Sequence, residues 1–118
     1  MTRCAVPVKS AVGLSSEVYD HFAMSEYFAI LEIRKKRIVS VDFVHYQAAG
    51  EGRNDPAEVL ADAGVGVVLA GRIGSCMIRL FMGKNIKIYS GAEGTVENAF
   101  RQYVAGELTE VRPSPYQL

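Results

Sequence analysis

One stretch of the chain combines an apolar run with a glycine-punctuated loop. Val65 to Ala70 is apolar at nearly every position, which is typical of a strand buried on both faces of a parallel sheet. Gly71 and Gly74 follow, and Ser75 begins a predicted helix. Such a unit places the N–H groups of a helix start at the carboxyl edge of a sheet, where anions bind. The pattern therefore predicts an α/β fold with a ligand site at that edge.

The same loop carries two chemically active side chains. Arg72 is a permanent cation with a forked set of donors, and Cys76 is one of only two cysteines. Together they suit a negatively charged ligand that tolerates sulfur. A second interpretation stays open, in which the glycines only let strand and helix pack closely and Cys76 acts as a small apolar residue.

Composition limits the class of protein. With 118 residues and 49% hydrophobic composition, the chain is predicted to form one domain over residues 1–108, with a flexible tail at 109–118. Thirteen basic and thirteen acidic residues leave no net charge, so neither nucleic acid nor membrane is an expected partner. Two cysteines make no disulfide framework, and Met1 to Val8 lacks a secretion-signal pattern. The sequence therefore predicts a cytoplasmic protein.

Local patterns predict five strands and three helices. The predicted strands lie near residues 3–8, 27–33, 38–44, 66–70 and 86–89, and the predicted helices run from Pro56 to Ala63, Ser75 to Met82 and Thr95 to Ala105. A single helical turn is also expected around Glu17 to Phe22.

A basic tetrad, Arg34 to Arg37, lies at the predicted turn between the second and third strands. Such a run could contact nucleic acid, but charges at a hairpin tip more often keep the surface soluble. We therefore interpret the tetrad as a solvated turn.

Four blocks of the sequence carry a family resemblance. They are Pro7-Val8, His21-Phe22, Val67 to Gly74, and Ile88 to Glu97 with its pattern Ile-Tyr-x-Gly-Ala-x-Gly-Thr-Val-Glu. Over residues 3–108 the chain resembles the dinitrogenase iron-molybdenum cofactor-binding family, which includes cofactor carriers and cofactor-biosynthesis proteins of nitrogenase assembly. The resemblance implies a ribonuclease H-like fold. It implies a five-stranded mixed sheet of order 3-2-1-4-5, with strand 2 antiparallel and helices on both faces.

The chain departs from that family at two places. Many members have a His- and Gly-rich segment before the first crossover helix, whereas Ala48 to Gly52 leaves His45 as the nearby imidazole. Many also have glycine where this chain has Arg72, and no cysteine at the position of Cys76. The chemistry of this loop is therefore specific to the chain.

An iron–sulfur or iron–molybdenum cluster is a bulky anion that thiolate, imidazole, guanidinium and backbone N–H groups can hold. His21 is expected on the same rim, because it follows the first strand and that strand should neighbour the fourth. A packing role for His21 is the alternative. The predicted cofactor-binding residues are His21, Gly71, Arg72, Gly74, Ser75 and Cys76, with His21 and Cys76 as metal ligands.

These residues indicate a non-catalytic binding or carrier protein for a cluster or its precursor, with cluster donor and acceptor proteins as partners. The alternative is an interaction or regulatory module of the same fold without a bound cluster. An enzyme is not expected, because two-metal nucleases need converging carboxylates and the strands Cys4 to Val8 and Val67 to Ala70 have none. A Cys76–His21 nucleophile pair lacks an identifiable third group.

Overall fold

The described part of the chain contains three α-helices and six strands. A computed structural model describes residues 2–20, 22, 25–46 and 55–111. In chain order the elements are β1 Thr2–Val8, β2 Tyr27–Arg34, β3 Arg37–His45, α1 Pro56–Asp62, β4 Val67–Ala70, α2 Ser75–Gly83, β5 Lys87–Ser90, α3 Val96–Val104 and β6 Thr109–Val111. None of the helices in these ranges is long and apolar enough to cross a membrane.

The strands form one mixed sheet of order β3-β2-β1-β4-β5-β6. β1, β4 and β5 run parallel, whereas β2 is antiparallel to both of its neighbours. The predicted order of the first five strands and the antiparallel β2 are thereby confirmed.

The predicted number of five strands is wrong, because β6 pairs antiparallel with β5. Gly106, at φ 74°, lies in the turn after α3, and the chain returns along the sheet edge. A three-residue segment with one apolar side chain has no readable period, so only its pairing with β5 identifies it as a strand. The sheet thus includes residues 109–111 of the predicted tail, and 112–118 lie outside the described residues.

The helical turn expected at Glu17 to Phe22 is also wrong in its first half. Glu17 and Val18 form isolated bridges, with Thr95 and Val8 respectively. The Glu17 carbonyl accepts a hydrogen bond from the Lys9 N–H, just after β1, and the Val18 N–H donates to the Gly94 carbonyl, so these groups are not free for a helical turn. A 3₁₀ turn lies earlier, at Gly13–Ser15.

The sheet separates two apolar cores. Leu60 of α1 and Phe81 of α2 pack on one face, and Ala99 of α3 packs on the other. β4 serves both cores, since Val68 faces α1 and α2 while Leu69 faces α3, each with 0% exposure. The prediction of helices on both faces and of a fully buried fourth strand is confirmed.

The three helices begin differently. In α1, Asp55 accepts a hydrogen bond from the Glu58 N–H at 2.9 Å, and in α3 the Thr95 hydroxyl accepts one from the Asn98 N–H at 3.2 Å. Helix α2 begins after Gly74, which has no side chain to cap it. Its first N–H groups therefore have no side-chain acceptor at the N-cap.

Candidate functional site

Three loops meet at the carboxyl edge of β1, β4 and β5. A Cβ atom added to Gly71 would lie 3.0 Å from Asp20 Oδ1 and 3.1 Å from the Ala92 carbonyl oxygen. The Ala92 N–H donates to the Ala70 carbonyl at 3.0 Å, and the Gly91 N–H donates to the Gly71 carbonyl at 3.2 Å. Gly71 is therefore a close-approach glycine that joins the loop after β1 to the loops after β4 and β5. We call this edge the rim.

The loop between β4 and α2 presents its polar groups to solvent. Arg72, Gly74, Ser75 and Cys76 are all exposed. Gly74 is the N-cap of α2 with extended backbone (φ −81°, ψ 163°), so Ser75 and Cys76 occupy the first turn. The structure thus brings four of the predicted site residues together at an uncapped helix start.

Charge at the rim is mixed. The two ion pairs found among the described residues join Arg3 to Glu32 and Lys9 to Glu17, so Arg72 has no acidic partner in that part of the chain. The carboxylate of Asp20 lies against Gly71. Sequence reasoning missed Asp20, although it directly precedes the candidate His21. It also missed the contact of Ala92 with Gly71, although Ala92 belongs to the Gly-Ala-x-Gly block that carries the family resemblance.

The two thiols lie in opposite environments. Cys76 is exposed, whereas Cys4 is buried in β1 with 0% exposure. Burial raises the pKa of the Cys4 thiol to about 12, because the apolar core disfavours the thiolate. Of the two cysteines, only Cys76 can therefore offer sulfur to an external ligand.

One of the two histidines, His45, lies within the described residues. His21 lies outside the described residues, and its placement at the rim stays a prediction. His45 ends β3, and its ring stacks on Tyr27 with centroids 4.8 Å apart. β2 and β1 separate β3 from β4, a distance of about 14 Å at the usual strand spacing. His45 is therefore remote from Cys76.

Within the described ranges, no group of three or more His, Cys, Asp or Glu side chains is arranged to hold a metal ion. The described rim instead offers one thiol, one guanidinium and backbone N–H groups, with the Asp20 carboxylate beside Gly71. Such a set recognises a preformed anion better than a bare cation.

Comparisons with known proteins agree on the family and the fold. The family model described as dinitrogenase iron-molybdenum cofactor matches residues 2–106. A NifB candidate from Thermotoga is 28% identical with TM-score 0.77, covering 98% of this chain and 99% of its own. The apo form of the orange protein from Desulfovibrio gigas is 26% identical with TM-score 0.78, covering 94% and 93%.

A candidate dinitrogenase from Methanocaldococcus jannaschii is 19% identical with TM-score 0.70, covering 95% of this chain and 96% of its own. That likeness shows the fold alone. No curated protein is significantly similar to the chain.

Proposed function

The chain belongs to the dinitrogenase iron-molybdenum cofactor family, and on that premise we propose that it binds an anionic metal–sulfur cluster, or a precursor of one, as cargo. The binding site is the rim, and the protein carries the cluster without catalysing a reaction. One observation supports this most strongly. The uncapped start of α2, the exposed Arg72 and the exposed Cys76 lie on a single loop.

The electrostatics of this loop favour an anion. The start of a helix carries a partial positive charge, and its first N–H groups point toward a ligand at the axis. No side chain at Gly74 competes for these groups. Arg72 adds a full charge with donors that reach more than one acceptor atom. Sulfide and oxide atoms at the surface of a cluster would accept these hydrogen bonds.

Cys76 supplies the one accessible thiol for direct ligation. A thiol beside a guanidinium and the N–H groups of a helix start suits a preassembled anionic cluster. We place His21 as the second direct ligand, since it follows Asp20, which contacts Gly71. Asp20 itself opposes an anion, so binding depends on Arg72 outweighing this carboxylate.

The relatives support a cargo of this class. The Desulfovibrio gigas orange protein was solved in its apo form, a description that presupposes a bound form. The Thermotoga relative is described as a NifB candidate, and the family description names the iron-molybdenum cofactor itself.

Three finer assignments accompany the proposal. The strand order 3-2-1-4-5 with an antiparallel second strand, retained within the six-stranded sheet, supports a ribonuclease H-like architecture. An exposed free thiol at Cys76 supports a reducing, cytoplasmic setting. A cargo role requires a cluster donor and a cluster acceptor protein.

Anaerobic titration with isolated iron-molybdenum cofactor, followed by visible absorption, tests the proposal. Arg72→Ala should weaken binding about ten- to a hundredfold, because a charge-assisted hydrogen bond contributes about 1.5–3 kcal/mol. Asp20→Asn should tighten binding, because it removes the opposing carboxylate. Cys76→Ser and His21→Ala should shift the absorption bands of the bound cluster. Lys84→Ala removes an exposed cation at the other end of α2 and should leave affinity unchanged.

Equal affinity for wild type and the Arg72→Ala, Cys76→Ser, His21→Ala triple variant would place the cluster elsewhere. Absence of binding by the wild-type protein would favour the second candidate, an interaction or regulatory module without a cluster.

A further inference from the structure

A concave surface lies outside the rim. It is a groove of about 590 Å³ between the tip of the β2–β3 hairpin and the end of α3. Thr2, which begins β1, and Gly106, which follows α3, both line it, and it extends along β5 as far as Tyr89. Its volume lies in the range of small-molecule sites, about 300–1,000 Å³.

Positive charge is concentrated along this groove. Arg34, Lys35 and Lys36 line it, and the lining contains no carboxylate. None of the three cations forms an ion pair with a described residue. Glu32 interacts electrostatically with Arg34, but its carboxylate already accepts hydrogen bonds from Arg3 and Ser40. In a chain without net charge, this is a marked local excess.

The turn itself does not explain its lysines. Lys35 and Lys36 have φ values of 53° and 61°, so both occupy the left-handed region. Two-residue hairpin turns of this geometry strongly favour Asn and Gly, which tolerate positive φ. Lysine at both positions strains the backbone, and strained residues cluster at binding sites. A turn that only keeps the surface soluble could carry its positive charges elsewhere in the hairpin. Solubility alone therefore does not account for lysine at positions 35 and 36.

Two aromatic rings also line the groove. Tyr89 and Tyr103 meet edge to face, with centroids 5.2 Å apart and ring planes at 68°. Both are partly exposed and both line the groove. Burial, with smaller contributions from Cys4 and Tyr89, raises the pKa of Tyr103, so its hydroxyl stays protonated and can donate a hydrogen bond.

We propose that this groove binds an organic phosphate of nucleotide type, with the phosphates held by Arg34, Lys35 and Lys36 and the planar ring packed against Tyr89 and Tyr103. Cations and aromatic rings that line one groove match the two halves of such a ligand. The bounded volume and the short basic segment favour a single nucleotide over an extended nucleic acid. This site is separate from the proposed cluster rim, because none of its lining residues belongs to the loops that form the rim.

Isothermal titration calorimetry of the full chain with ATP tests the proposal. Tripolyphosphate and adenosine, titrated separately, represent the phosphate part and the ring part of ATP. The key variant is Lys35→Asn with Lys36→Gly. It removes two charges while giving the turn its preferred residues, so the protein should fold at least as well as wild type. Lys9→Gln with Lys84→Gln is the matched control, since it removes two exposed lysines outside the groove.

We expect ATP to bind at least tenfold more weakly to the turn variant, and within twofold of wild type to the control. Tyr103→Leu should weaken ATP binding several-fold and leave tripolyphosphate binding unchanged. The proposal is overturned if wild type does not bind ATP, if the turn variant binds it as tightly as wild type, or if tripolyphosphate binds as tightly as ATP.

Discussion

Replacing Gly71 with alanine should destabilise the protein through one backbone contact. The added methyl group would lie 3.0 Å from Asp20 Oδ1 and 3.1 Å from the Ala92 carbonyl oxygen. Asp20 is exposed, so its carboxylate can rotate away. Ala92 is 2% exposed and its N–H is bonded to Ala70, so its carbonyl cannot move without displacing the loop after β5.

The magnitude follows from two opposing effects. Adding a methyl group to a packed region costs about 1–3 kcal/mol. Alanine also restricts the unfolded chain, which stabilises the folded state by about 0.4–1 kcal/mol. Gly71→Ala should therefore lower the free energy of unfolding by about 1.3 kcal/mol at the middle of these ranges, and by no more than about 2.6 kcal/mol. Gly66→Ala is the control, because a Cβ there meets nothing within 4 Å and its φ is not positive. It should be neutral or slightly stabilising.

Urea unfolding of both variants and wild type measures the difference. The difference in the free energy of unfolding between the two alanine variants cancels the effect on the unfolded chain. It leaves the steric cost, about 1–3 kcal/mol. A Gly71→Ala protein as stable as Gly66→Ala would show that the three loops are not in contact as described.

Three further outcomes are expected. Leu69→Ala should lower the free energy of unfolding in urea by about 2–5 kcal/mol, because the side chain is fully buried between the sheet and α3. A loss below about 1 kcal/mol would contradict this packing. A hydrogen bond and the nearby charge of Arg3 lower the pKa of Glu32, so the pair stabilises the folded state above the ordinary carboxyl pKa and is lost as pH falls through the lowered one. The stability gap between wild type and Glu32→Gln should accordingly shrink from about pH 7 to about pH 3, and a constant gap would contradict the linkage. Iodoacetamide should label only Cys76 in the native protein and both cysteines after unfolding, as counted by intact mass; labelling of native Cys4 would contradict its burial.

The strands that pack in the core were predictable because the local sequence pattern of each one indicates which residues are buried. Val67 to Ala70 is apolar at each position, and β2 and β3 flank a short charged turn. β6 was not predictable, since Thr109–Val111 is defined by its pairing with β5 and has no pattern of its own.

The candidate site was predictable only in part. The glycines and the helix start at 71–76 are a local motif, and the structure places them at the expected edge. The reason for Gly71 is long-range, because Asp20 and Ala92 reach it only through the sheet topology. The groove at Lys35 and Lys36 was missed for the same reason, since its tyrosines come from β5 and α3.

Amide chemical shifts offer the most direct test of the cluster rim. The ¹⁵N-labelled protein would be titrated anaerobically with tetrathiomolybdate, a soluble molybdenum–sulfur dianion. We expect the largest shifts at the amides of Ser75, Cys76 and Met77, where the start of α2 lacks a side-chain cap. Shifts confined to the hairpin at Lys35 and Lys36, or no shifts at all, would contradict it.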